Sequence, residues 1–136
     1  MKRSKEEVAL IFALLLFMLL VIILGSADAA HGKVYSKTYV WRTAYKWAVY
    51  MHVPHPQWAA SKCLRIAIAE SHLNSSARNG GCVGMLQFNR NWRTCYKCSH
   101  GFADWRKCGP CSIKAFMWIW KSKGTRAIRR HWRATW

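Results

Sequence analysis

Hydrophobic and polar positions divide the chain into two unequal parts. From Val8 to Leu24 every residue is apolar, with Lys2, Arg3 and Lys5 before the run and Gly25-Ser26-Ala27-Asp28-Ala29-Ala30 after it. A basic lead, an apolar stretch and an Ala-x-Ala site predict an export signal, cut after Ala29 or kept as a membrane anchor. Residues 1–29 are therefore read as a signal peptide or signal anchor. The folded domain is expected over residues 38–136, outside the cytoplasm or at the cell envelope.

Beyond the leader, apolar residues recur at helical spacing. Trp41, Tyr45, Ala48, Val49 and His52 predict a helix from Thr38 to His52. Val53-Pro54-His55-Pro56 interrupts it, because proline has no backbone N–H to donate. A second helix is expected from Pro56 or Gln57 to Ser71, with Ala59, Cys63, Ile66, Ala67 and Glu70 on one face. Asn74 to Val83 reads as loop, tightest at Gly80-Gly81, with short extended structure over Val83 to Phe88. Residues 90–111 read as an irregular, cysteine-rich insertion. Ser112 is expected to cap a helix from Ile113 to Lys123 that turns Ile113, Phe116, Met117 and Trp120 inward. Gly124 ends it, and Thr125 opens a last helix to Trp136 with Ile128, Trp132 and Trp136 as its apolar stripe. The fold class is mainly α, with a small loop or β region in the middle.

Charge changes the picture. Lys and Arg number 22 against 5 acids, a net charge of +17 over 136 residues. Lys2, Arg3 and Lys5 balance Glu6, Glu7 and Asp28, so the whole excess lies in the exported part. Such a field draws in polyanions, above all an anionic cell-envelope surface. Interleaved bases and aromatics also suit nucleic acid, but no nucleic-acid motif accompanies them and export argues against that partner. A monomer is expected. Trp41, Trp120 and Trp132 fall on buried stripes, whereas Trp92 and Trp105 flank the insertion and are candidates for ligand contact.

Acids are so few that they nominate themselves. After Asp28 the chain holds only Glu70 and Asp104. Glu70 closes a helix whose preceding turns are apolar. Burial there would disfavour its charged form, while the basic background pulls the other way. The first is expected to win only if protein shields Glu70 from the lysines and arginines. Holding a proton near neutral pH is what a general acid requires.

The six cysteines are Cys63, Cys82, Cys95, Cys98, Cys108 and Cys111. Cys95-x-x-Cys98 and Cys108-x-x-Cys111 have the spacing of a structural zinc site, with His100 as a further ligand. An oxidising compartment favours two disulfides instead, one arrangement being Cys95 with Cys111 and Cys98 with Cys108. Cys63 and Cys82 would then bridge the Glu70 helix to the loop before Gly84. The expectation is disulfides, no catalytic metal and no cofactor, because four sulfur ligands leave no open position for water.

Glu70-Ser71, Asn74, Ala77 and Gly84-Met85-Leu86-Gln87 together resemble the catalytic core of the soluble lytic transglycosylase and goose-type lysozyme superfamily. The likeness covers residues 57–88 and extends weakly over 112–136. It implies a lysozyme-like α+β fold and cleavage of peptidoglycan glycan strands between N-acetylmuramic acid and N-acetylglucosamine. Glu70 would be the acid, then the base that draws a proton from the sugar's own 6-hydroxyl, giving a 1,6-anhydro product. Ser71 would orient Glu70 or substrate, and Asn74, Met85 and Gln87 would belong to the substrate-binding cleft. A hydrolytic lysozyme, or a non-catalytic cationic wall- or membrane-binding protein on a degenerate lysozyme fold, are the alternatives. The family's Ala-Tyr-Asn segment is absent from Gly124 to Trp136, and its later tyrosine is replaced by Trp118 or Trp120.

Overall fold

The structure is a computed structural model describing residues 11, 12, 14–16, 33–92 and 97–136. Residues 11, 12 and 14–16 are helical and belong to a separate N-terminal unit, Met1–His31. Most of the expected signal segment lies outside the described residues, and among those described no helix is long and apolar enough to cross a membrane.

The second unit is mainly helical. Helix α1 spans Lys37–Tyr50, and the Ser36 hydroxyl caps it by accepting from Tyr39 N–H at 3.1 Å. Its buried residues are Val40, Ala44 and Ala48. Helix α2, Pro56–Ser71, begins on the proline that the sequence marks as its start and buries Ala59, Ala60, Cys63, Ile66 and Ala67. Small residues on both faces let the two helices approach closely. That is why the buried stripe of α1 lies one residue away from the expected one. Trp41 and Tyr45 are half-buried at its edge, stacked 5.2 Å apart, and Trp41 Nε1 donates to Ser61 Oγ. Val49 and His52 are exposed rather than inward.

A two-residue turn at Gly80-Gly81 joins strands β1 (Arg78–Asn79) and β2 (Cys82–Val83) in an antiparallel pair. Gly80 takes φ +57°, the conformation such hairpin turns require. Val83 also bridges to Phe88, so the expected extended stretch is only the rim of a tight turn over 84–87. The lead-in is tied down: Val34 bridges Asn74, and Tyr35 N–H donates to the Leu73 carbonyl.

Helix α3, Gly109–His131, starts earlier than expected. Cys108 is the N-cap and Pro110 occupies the first turn, while Ser112 lies inside and returns its hydroxyl to the Gly109 carbonyl at 2.8 Å. Gly124 breaks the helix (φ 74°, ψ 175°), where the sequence places a boundary. The last segment ends at His131, short of Trp136. Ile113, Phe116, Met117, Trp120, Ile128 and Trp132 are buried as expected. Phe88 anchors the core, with the ring centroids of Trp105 at 4.8 Å and Trp132 at 5.0 Å. Trp105, expected to touch ligand, is therefore a core residue, 2% exposed. Trp132 also donates its indole N–H to the Leu86 carbonyl at 2.6 Å, fixing the 84–88 turn to the C-terminal segment.

Candidate active site around Glu70

Glu70 occupies the last turn of α2. The chain reverses immediately after Ser71 because His72 (φ 52°) and Leu73 (φ 68°) both adopt the left-handed conformation. That costs roughly 1–2 kcal/mol per non-glycine residue. The return bonds His72 N–H to Ile68 O (3.0 Å) and Leu73 N–H to Ala67 O (3.2 Å), with burial of Leu73, offset it. The reversal leaves Glu70 half-buried at the helix end. Its Oε1 accepts a hydrogen bond from Thr135 Oγ1 at 3.1 Å. Thr135 is itself held by its N–H on the Trp132 carbonyl.

The neighbouring residues of the motif build the site rather than line it. Ser71 is buried and its hydroxyl lies 2.7 Å from the Met85 carbonyl and 3.0 Å from that of Ala67. It therefore pins the 84–88 turn to the end of α2. Met85 is wholly buried in the core, which removes it from direct substrate contact. Asn74 accepts from the N–H and hydroxyl of Ser76, shaping the turn after α2. Gln87, in the left-handed region at φ 50°, is buried, and its amide Nε2 donates to the carbonyls of Gly84 (2.7 Å) and Ala77 (3.0 Å). Its Oε1 has no partner among the described residues.

His131 joins these pieces. Trp92 Nε1–H points at His131 Nδ1 (3.4 Å), which leaves Nε2 to donate to the Gln87 carbonyl at 3.4 Å. This is the neutral tautomer. Burial holds His131 below the ordinary imidazole range, against the Gln87 carbonyl and the negative charge of Glu70, which both favour its proton. The ring stacks on Phe88.

Asp104 has a different fate. Arg106 grips it through Nε on Oδ1 (2.9 Å) and Nη2 on Oδ2 (2.8 Å), and reaches the Phe88 carbonyl with Nη1. Hydrogen bonds from Arg106 hold the Asp104 carboxyl below the usual carboxylate range. This is the one ion pair formed among the described residues; Glu70 makes none. A hollow of about 420 Å³ opens beside α2, lined by Arg65, Ile68, Ala69, Ala134, Trp136 and Thr135, the partner of Glu70. Arg126, Arg129, Arg130 and Arg133 line another of about 400 Å³.

The expected bridge between Cys63 and Cys82 is not formed. Cys63 is fully enclosed on the core face of α2, and burial pushes its thiol pKa up. Cys82 is a separate free thiol on β2. Cys95 lies outside the described residues. Of the rest, the Cys98 sulfur lies 2.7 Å from that of Cys111, a different pair from the arrangement of Cys98 with Cys108 given as one possibility. No pair among the described residues is bonded.

Thr135 and His131 are the two site residues that the sequence reading missed. No family model, curated protein or solved structure matches the chain.

Proposed function

We propose that this protein is a peptidoglycan-cleaving enzyme working by the lytic transglycosylase route, with Glu70 as sole general acid and base. One observation carries the reading. Of the two acids beyond the leader, Asp104 is locked by Arg106, while Glu70 forms no ion pair among the described residues and accepts from the hydroxyl of Thr135, a residue that lines a hollow. A carboxyl in that state can give a proton to a glycosidic oxygen and take one back. In the first half-step Glu70 protonates the bridging oxygen and the C1–O bond breaks. In the second, Glu70 accepts the proton of the 6-hydroxyl as O6 bonds to C1, and the acid is regenerated. Inverting or retaining hydrolysis ordinarily needs a second carboxyl across the bond. Asp104, tied into an ion pair, is poorly suited to that task. The resemblance of residues 57–88 to the lytic transglycosylase core supports the same substrate class.

The test is mass spectrometry of products released from purified cell walls. Wild type should yield 1,6-anhydro muropeptides. Glu70→Gln should lower the rate by about 10²–10⁴-fold, the usual contribution of general acid–base catalysis, with an unchanged thermal transition. Near wild-type release by Glu70→Gln sinks the assignment, and reducing-end products would make the enzyme a hydrolase.

The four arginines around one hollow favour a second reading, a cationic wall-binding protein without turnover. Its wall association would survive Glu70→Gln and weaken steeply with added salt.

A further inference from the structure

We propose that Cys98, His100, Cys108 and Cys111 form a structural zinc site that fastens the cysteine-rich segment to the start of α3. The proposal is independent of any catalytic role for Glu70. One donor atom from each residue lies within 4.8 Å of all the others. His100 Nδ1 is 3.3 Å from Cys111 Sγ and 3.6 Å from Cys108 Sγ. A tetrahedral zinc with Zn–S legs of about 2.3 Å and Zn–N legs of about 2.0–2.1 Å has S···N edges of about 3.5 Å and S···S edges of about 3.8 Å. The imidazole thus already stands at the required separations. Cys98 and Cys111, 2.7 Å apart, must part by about 1 Å to admit the ion.

Cys108 is the N-cap of α3 and Cys111 lies in its first turn, where the helix dipole favours negative charge. Cys108 and Cys111 are buried, so the centre is shielded on the protein side, with His100 exposed as its outer wall.

A disulfide accounts for less of this geometry. Joining Cys98 to Cys111 would leave the His100 imidazole nitrogen beside the sulfurs of Cys108 and Cys111 without a role. Zinc uses all four donors, and with four protein ligands it is a closed site. Its effect is mechanical. Zinc holds the loop that carries Asp104, Trp105 and Arg106 against α3, and through Arg106 the Phe88 carbonyl.

The experiment uses the full chain purified without chelator. Elemental analysis should find one zinc per chain, and cobalt(II) exchange should give the visible absorption of a tetrahedral thiolate site. Cys111→Ser and His100→Ala should each weaken zinc in chelator competition by more than about 100-fold, since even loss of an outer-shell partner costs 10–100-fold. Cys95→Ser should keep the metal, and His100→Cys should restore the tetrahedral cobalt spectrum. If the loss variants fail to fold, the wild-type cobalt spectrum decides alone. Substoichiometric zinc, with a native mass short by two hydrogens for each bridged pair, overturns the proposal. Full zinc retention by His100→Ala with loss in Cys95→Ser overturns the assignment of His100.

Discussion

Replacing Arg106 by Met tests how the cysteine-rich segment supports the site. The guanidinium makes three hydrogen bonds: to Asp104 Oδ1 at 2.9 Å, to Asp104 Oδ2 at 2.8 Å and to the Phe88 carbonyl at 3.2 Å. Both side chains are enclosed, at 7% exposure for Arg106 and 14% for Asp104. Removing one partner of a buried pair usually costs about 3–5 kcal/mol, because the other charge is stranded. Two contacts soften the loss. The Phe88 carbonyl keeps the N–H of Val83 at 3.1 Å, and Asp104 Oδ1 keeps the backbone N–H of residue 106 at 3.2 Å. Methionine also fills most of the vacated volume. The expected destabilisation is therefore about 2–4 kcal/mol, a large part of the ~5–15 kcal/mol that holds a domain together.

Urea unfolding followed by tryptophan fluorescence measures it. The double variant Asp104→Asn with Arg106→Met separates the pair from the rest. If stranded charge is the cause, neutralising Asp104 should recover stability and give a coupling energy above about 1 kcal/mol. A cost below about 1 kcal/mol for Arg106→Met, or additive single variants, refutes the argument.

Two further outcomes follow from local geometry. Gly84 has φ +88°, and a Cβ there would run into the backbone carbonyl of Arg106, which cannot rotate away. Gly84→Ala should cost more than about 2 kcal/mol in the same assay, while Gly81→Ala, which meets nothing nearby, should stay within about 0.5 kcal/mol. His131 has a folded-state pKa lowered by burial, so the unfolded chain binds its proton first as pH falls. Stability from this group is complete above about pH 6.5 and is lost as pH drops toward the folded value. His131→Gln should flatten the stability profile between about pH 7 and pH 5, and identical slopes in both proteins would contradict the burial argument.

The sequence signals that succeeded were local. Pro56 at a first turn and Gly124 with a positive φ punctuate the chain without help from distant residues, and the structure breaks where they stand. The inward face of α3 was legible because Ile113, Phe116, Met117 and Trp120 recur at one helical period. Failures came where two physical solutions compete. Tryptophan and tyrosine score as hydrophobic, yet their polar atoms suit an interface edge, so Trp41 and Tyr45 yielded the core of α1 to Val40, Ala44 and Ala48. Ser112 carries a hydroxyl equally able to cap a helix or to bond back to a carbonyl inside one, and the start at Gly109 selected the second. Long-range partners left no signal at all. Thr135 meets Glu70 across 65 positions and His131 meets Gln87 across 44, separations that no periodicity records.

The C-terminal segment explains how a chain of net charge +17 can keep one carboxylate out of the ion pairs formed among the described residues. Ile128 and Trp132 are buried, whereas Arg126, Arg129, Arg130 and Arg133 are exposed. The cations are thereby committed to solvent and to whatever polyanion approaches. The same segment then turns through Trp132 and presents a neutral hydroxyl, Thr135, to Glu70. An arginine in that position would hold Glu70 as Arg106 holds Asp104, and a carboxylate so gripped is a poor proton donor. Two acids on one domain are thus separated by environment, one fixed as a structural charge by Arg106 and one bonded to a neutral hydroxyl. That separation is what the proposed single-carboxylate chemistry requires. It also predicts that the decisive substitution is Thr135→Arg. With Glu70 intact but paired, wall-cleaving activity should fall by at least about 10-fold, since an adjacent Arg lowers a carboxyl pKa by 1–3 units. Activity undiminished in a variant whose fold is unchanged would show that the proton at Glu70 is irrelevant to turnover.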